Sequence, residues 1–120
     1  MEIKHKLWLE RDGHVIFGPG REGMLKAIEE CHSLSAAAKK LRMSYRAAWG
    51  RLKASEERLG IKLVEMDNVK HGMHLTDEAK KLIDCFDQLE RDIASILNET
   101  HDKLLSNLSQ VTPKKVSGRT

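Results

Sequence analysis

The stretch Ser33-Leu34-Ser35-Ala36-Ala37-Ala38-Lys39-Lys40-Leu41-Arg42-Met43-Ser44-Tyr45-Arg46-Ala47-Ala48-Trp49 holds two helix starts on either side of a tight corner. Ser33 or Ser35 suits the N-cap of a short helix, because a serine oxygen can accept a backbone N–H left without a partner in the first turn. That helix runs through Ala36-Ala37-Ala38 to Leu41, and Arg42-Met43 forms the turn. Ser44 is the next N-cap, and the helix it opens runs to Leu59, where Gly60 supplies a left-handed stop. Small alanines allow the two helices to pack closely, with Leu41 and Met43 plugging the corner. Ala48, Leu52 and Ser55 form the inward stripe of the longer helix, which turns Arg46, Gly50 and Lys53 outward with Ala47 and Arg51 on the flanks. A mid-helix glycine costs about 1 kcal/mol relative to alanine, and close approach of Gly50 to a groove wall is a reason to keep it. The pattern is a helix-turn-helix. An N-terminal Ser44-Tyr45-Arg46 able to reach base edges, followed by small residues and a lysine, is suited to a DNA major groove.

Working outward, Lys6–Glu10 and His14–Phe17 read as two short strands around Asp12-Gly13, a two-residue hairpin signal. Phe17 and Trp8 are expected in the core or on a dimer surface, and Trp49 is expected to pack against this hairpin. Gly18-Pro19-Gly20 then opens a helix on which Met24, Leu25, Ile28 and Cys31 recur at helical spacing. Beyond Gly60, Lys62–Met66 and Met73–Leu75 read as strands, separated by the turn-rich stretch from Asp67 to Gly72. Thr76 caps a last, long helix whose first turn carries Asp77 and Glu78, matched to the positive end of the helix dipole.

The apolar positions of that helix, Ala79, Leu82, Phe86, Leu89, Ile93 and Ile96, step by alternating threes and fours. Such a seam, about three heptads long, asks for a partner helix. Its first turns near Leu82 and Ile83 are expected to cover the chain's own core. Phe86, Leu89, Ile93, Ile96 and Leu97 are the expected dimerisation residues, covered by a second copy of the helix. The fold class is therefore mainly α with small β-hairpins: a winged helix-turn-helix over residues 1–75 with a long dimerisation helix over 76–106. Residues 107–120 show no pattern and read as a disordered basic tail.

Composition narrows the function. The 120 residues are 40% hydrophobic and 32% charged, and hold no apolar run of membrane-spanning length. No charged segment precedes an apolar one at the N-terminus, so no secretory signal is expected. The two cysteines, Cys31 and Cys85, belong to no C-x-x-C pair and read as reduced, half-buried thiols in a cytoplasm. The net charge of +3 decides little, but its distribution does. Lys39, Lys40, Arg42, Arg46, Arg51 and Lys53 lie between Ser33 and Ser55 with no acidic residue among them, whereas the last helix is acidic. Such a chain presents one face to a polyanion and another to a copy of itself.

Histidines raise a metal reading, above all His71-x-x-His74 and the adjacent Cys31-His32. No spacing among them brings three ligands together, so no metal site is expected. Catalysis finds no support either: there is no nucleophile elbow, no glycine-rich phosphate loop followed by Lys-Ser/Thr and no His-Glu-x-x-His. The chain is not expected to be an enzyme.

Three strings carry a family resemblance: Gly13-His14-Val15-Ile16-Phe17-Gly18-Pro19-Gly20, Ser33-x-Ser-Ala-Ala-Ala, and Met43-Ser-Tyr-Arg-x-Ala-Trp49. Together they resemble the N-terminal DNA-binding domain of the ModE family of molybdate-dependent regulators, over roughly residues 5–90. Leu59-Gly60-x-x-Leu63-Val64-Glu65 and Leu75-Thr76 also resemble the related LysR-type winged helices. The resemblance implies a homodimer on a palindromic operator in double-stranded DNA, with the Ser44–Lys53 face in the major groove and the Asp67–His71 wing beside the backbone. The DNA-binding residues expected on this reading are Arg42, Ser44, Tyr45, Arg46, Gly50, Arg51 and Lys53, with Lys70 and His71 at the wing. The wing here is short and lacks the usual run of glycines. Nothing after the long helix can form a molybdate-binding domain, so neither a cofactor nor a small-molecule effector is expected of this chain. A second reading from another class, a winged-helix adaptor that pairs through its last helix with a different protein, uses the same fold. Steep salt dependence of DNA affinity separates the two.

Overall fold

The turn at Asp12-Gly13 has both central residues at positive φ, 52° and 79°, the combination a type I′ hairpin turn requires. It joins β1 (Leu9–Arg11) to β2 (His14–Phe17) in an antiparallel pair. The first strand is shorter than the sequence predicts: the register slips between Leu9 and Glu10, and Lys6–Trp8 fall outside the ladder. The computed structural model describes residues 2–67 and 72–111. These form two compact units, one spanning Lys6–Asp87 and the other comprising the N-terminal residues through His5 and the chain from Gln88 onward.

In the first unit, α1 (Pro19–Cys31) begins with proline in its first turn and buries Met24, Leu25, Ala27 and Ile28. The N-caps of the next two helices act as their sequence predicts. Ser33 Oγ accepts the Ala36 N–H at 3.1 Å at the head of α2 (Leu34–Lys40), and Ser44 Oγ accepts that of Ala47 at 3.0 Å at the head of α3 (Tyr45–Leu59). Gly60, at φ 71°, closes α3 by donating its N–H to Glu56. Then β3 (Val64–Asp67) and β4 (Gly72–Leu75) pair antiparallel, with Val64 opposite Leu75 and Asp67 opposite Gly72. Thr76 Oγ1 donates to the Lys62 carbonyl at 2.6 Å and accepts the Ala79 N–H at 3.1 Å, so one hydroxyl ties the hairpin to the start of α4 (Asp77–Ser109).

The core of this unit centres on Phe17, Met24, Leu25, Ile28, Leu52 and Leu63. Ala79, Ile83 and Phe86 complete it from the first turns of α4. Phe86 thereby corrects the sequence expectation. It does not belong to a pairing seam but stands edge-on to Phe17, with ring centroids 5.1 Å apart. Its position continues the Ala79–Ile83 stripe by one turn, and that stripe is spent on the core. Leu82 packs half-buried beside it, as expected. Nearby, burial and a hydrogen bond to the Asp87 carboxylate raise the Glu22 carboxyl above the ordinary glutamate range. Lys26 answers both acids, at 3.5 Å from Glu22 and 3.4 Å from Asp87.

In the second unit, His5 Nε2 lies 3.0 Å from Glu90 Oε2. Along α4 from Gln88, Leu89 is 40% and Ile96 59% exposed, while Ile93 and Leu97 are half-buried. The helix continues to Ser109, past the Ser106 limit read from the sequence. Most of the predicted tail, residues 112–120, lies outside the described residues. Of the two thiols, Cys31 is half-buried and Cys85 exposed, so only the first matches its expected burial.

Candidate nucleic-acid interface

Between α2 and α3 the backbone turns through a Schellman arrangement. The Met43 N–H reaches back to the Ala38 carbonyl at 3.0 Å and the Arg42 N–H to that of Lys39 at 3.1 Å, with Arg42 left-handed at φ 57°. Met43 packs on the core as the accompanying hydrophobic contact. Leu41, which the sequence reading placed beside it in the corner, is instead 39% exposed. The turn needs only one apolar plug, and the C″ position supplies it.

This corner sets the rotation of α3. Ala48, Leu52 and Ser55 are buried, and Tyr45, Arg46, Ala47, Gly50, Arg51 and Lys53 are exposed. The inward stripe and the outward face thus fall where the 3.6-residue period places them. Among the described residues a Cβ added at Gly50 would meet nothing within 4 Å, so no contact with them demands glycine there. Trp49 departs from expectation. It is not buried but 44% exposed, with Lys53 Nζ 4.5 Å from its ring centroid. Ala48 and Leu52 take the inward direction, and Trp49, Gly50 and Arg51 between them follow the helix round to the outside.

The six basic residues of the block are not equivalent. Lys40 pairs with Glu30, and Lys53 with Glu56 at 3.2 Å. Among the described residues, Arg42, Arg46 and Arg51 have no hydrogen-bond acceptor or carboxylate for their guanidinium groups. Arg51 also has a cationic neighbour that sequence reasoning missed. Arg21 donates from Nε to Ser55 Oγ at 2.9 Å, and burial together with Arg58 and Arg51 lowers its pKa. Lys6, Trp8, Gly18, Arg21 and Arg51 line one concavity beside the start of α1. No linear spacing signals this convergence, because it depends on how α1 packs against α3. Lys70 and His71 lie outside the described residues, although the strands that carry the wing are in place.

Comparison with known proteins meets this geometry directly. Residues 23–80 match the family model of bacterial regulatory helix-turn-helix proteins of the lysR family. This segment is a LysR-type helix-turn-helix. The matched region runs from α1 through the first turn of α4, so the family match covers the basic face of α3 and the hairpin after it. The transcriptional regulator ModE of Haemophilus influenzae is 36% identical over 76 residues, covering 61% of this chain and 30% of that protein. The molybdenum-pterin-binding protein MopB of Rhodobacter capsulatus is 32% identical over 99 residues, covering 80% of this chain and 36% of its own length. The chain thus spans about a third of the length of the curated relatives it matches. Among solved structures, the complex of the BenM DNA-binding domain with benA site 1 DNA superposes with a TM-score of 0.52 at 21% identity, over 71% of this chain and 93% of that one. The fold is that of LysR-type winged-helix DNA-binding domains. The LysR family is one of regulatory proteins, not of enzymes.

Proposed function

We propose that this chain regulates transcription by binding double-stranded DNA as a homodimer on an inverted repeat. The observation that carries the reading is the outer face of α3 with the turn before it, where Arg42, Arg46 and Arg51 have no partner among the described residues and stand around Ser44, Tyr45 and Gly50. Unpaired guanidinium groups on a rigid helix suit phosphates and the N7 and O6 acceptors of guanine. Lys53 and the exposed Trp49 extend the face by one turn, and Lys70 and His71 are proposed to meet the backbone from the wing. The regulator named in the ModE relative and the DNA in the BenM domain complex agree with this assignment.

Dimerisation rests on Leu89, Ile93, Ile96 and Leu97. A two-fold pair of such domains reads two half-sites about one DNA turn, ~34 Å, apart, and so needs a palindrome. No helix among the described residues is long and apolar enough to cross a membrane, and a chain of this kind works beside the chromosome, in the cytoplasm.

Selection of bound sequences from a random duplex pool tests the reading. An inverted repeat should emerge, and its affinity should fall steeply with salt as counterions are released from several phosphates. A pool that yields no preferred sequence, with binding indifferent to salt, would overturn the reading. In that event the exposed apolar residues of α4 would favour an adaptor that pairs with another protein.

A further inference from the structure

Glu29, His32 and His74 converge although the sequence separates them. Glu29 lies in the last turns of α1, His32 caps that helix and His74 sits on β4. One ligand atom from each lies within 4.8 Å of the others. The two imidazole centroids are 4.7 Å apart, and His74 Nδ1 is 3.7 Å from Glu29 Oε1. We propose that these side chains bind a divalent transition-metal ion of the zinc class, pinning the end of α1 to the base of the wing hairpin. The proposal does not depend on the DNA reading.

Several independent features support it. His32 is held left-handed at φ 56°, which carries its side chain out of the helix and over β4. Its carbonyl accepts the Met73 N–H at 2.8 Å, fixing the cap to the strand. Gly72 leaves room for the rings, since a Cβ there would stand 3.2 Å from His32 Cβ and 3.5 Å from His74 Nε2. That Nε2 is shielded from solvent and makes no hydrogen bond among the described residues. The outer shell is partly built, because Glu29 Oε2 already accepts the Leu75 N–H at 2.9 Å and leaves Oε1 for the ion. His32 is exposed, which gives an ion access.

Two imidazoles with a carboxylate match the ligand preferences of zinc, whereas magnesium and calcium demand all-oxygen shells. Zinc–nitrogen bonds of about 2.0–2.1 Å place ligand atoms closer together than they stand here. Modest rotations of the exposed His32 and half-buried Glu29 side chains close that gap.

The test uses the full chain, dialysed against chelator and titrated with zinc chloride by calorimetry, with cobalt(II) absorption reporting coordination. One ion per chain should bind, the melting temperature should rise, and magnesium should do neither. His32→Asn keeps a residue that tolerates the left-handed cap, and Glu29→Gln keeps the acceptor for the Leu75 N–H. Each should weaken zinc at least about tenfold, as a lost ligand does, and His74→Gln should abolish the zinc-dependent rise in melting temperature. Circular dichroism confirms that each variant folds; should His74→Gln fail that check, the other two decide. Absence of saturable zinc binding would overturn the proposal, and so would unmutated affinity in folded His32→Asn and Glu29→Gln, which would place the ion elsewhere.

Discussion

α3 and the part of α4 beyond Asp87 both leave one face of a helix uncovered, and the two faces differ in kind. On α3 the uncovered side is cationic, with Arg46 and Arg51 in water and Ala48 and Leu52 buried behind them. On α4 it is apolar, with Leu89 and Ile96 exposed and Ile93 and Leu97 only half-buried. A solvated arginine is at no disadvantage as a monomer, so the α3 face can wait for its partner. Leucine and isoleucine in water cannot do so without cost: burying each contributes about 1.5–3 kcal/mol. The contrast supports the different partners proposed above, a polyanion for one face and another apolar helix for the other.

The sharpest way to break this comparison is to place a charge on the apolar face. Ile93→Asp should convert a dimer to monomers in sedimentation and reduce operator affinity by more than about 100-fold, because a half-site alone lacks the second set of contacts. If the unmutated chain already sediments as a monomer, the pairing role of α4 fails and the palindrome fails with it.

A smaller effect is expected on the cationic face. Arg46→Ala should cost about 1–3 kcal/mol of specific binding and relax base preference at one position of each half-site. Lys53→Ala should cost less and affect all sequences alike, since Lys53 already shares its charge with Glu56 and lies over Trp49. Gel-shift series on matched and mutated operators separate the two. Equal losses from both substitutions would show that the pairing of Lys53 seen here does not persist on DNA.

The smallest effect distinguishes folding from binding at one residue. Arg42 occupies a left-handed position at φ 57° that glycine adopts without steric penalty. Arg42→Gly should therefore stabilise the domain by about 0.5–1 kcal/mol in denaturant titration while weakening DNA binding. A variant that gains stability and loses no affinity would remove Arg42 from the interface.

Much of the fold was legible because it depends on neighbours in sequence. Ser33, Ser44 and Thr76 cap the helices that follow them, Gly60 stops α3, and Asp12-Gly13 turns the first hairpin, each through contacts spanning a few residues. The inward and outward faces of α3 were equally legible, since a helical period needs only the residue types. The same local logic revealed the basic block as a block, but not which of its members are paired.

Only the tertiary structure decided the remainder. Phe86 follows the spacing of a pairing seam, and its burial depends on the presence of Phe17 across the core. The placement of Arg21 beside Ser55 follows from how α1 packs on α3. The convergence of Glu29 and His32 with His74 requires the second hairpin to cross the end of α1. Capping and periodicity act within a turn or two of the chain, so the sequence alone determined the elements and the order of their faces. Which distant faces meet depends on filling one common core, and that is settled only when all the elements pack together.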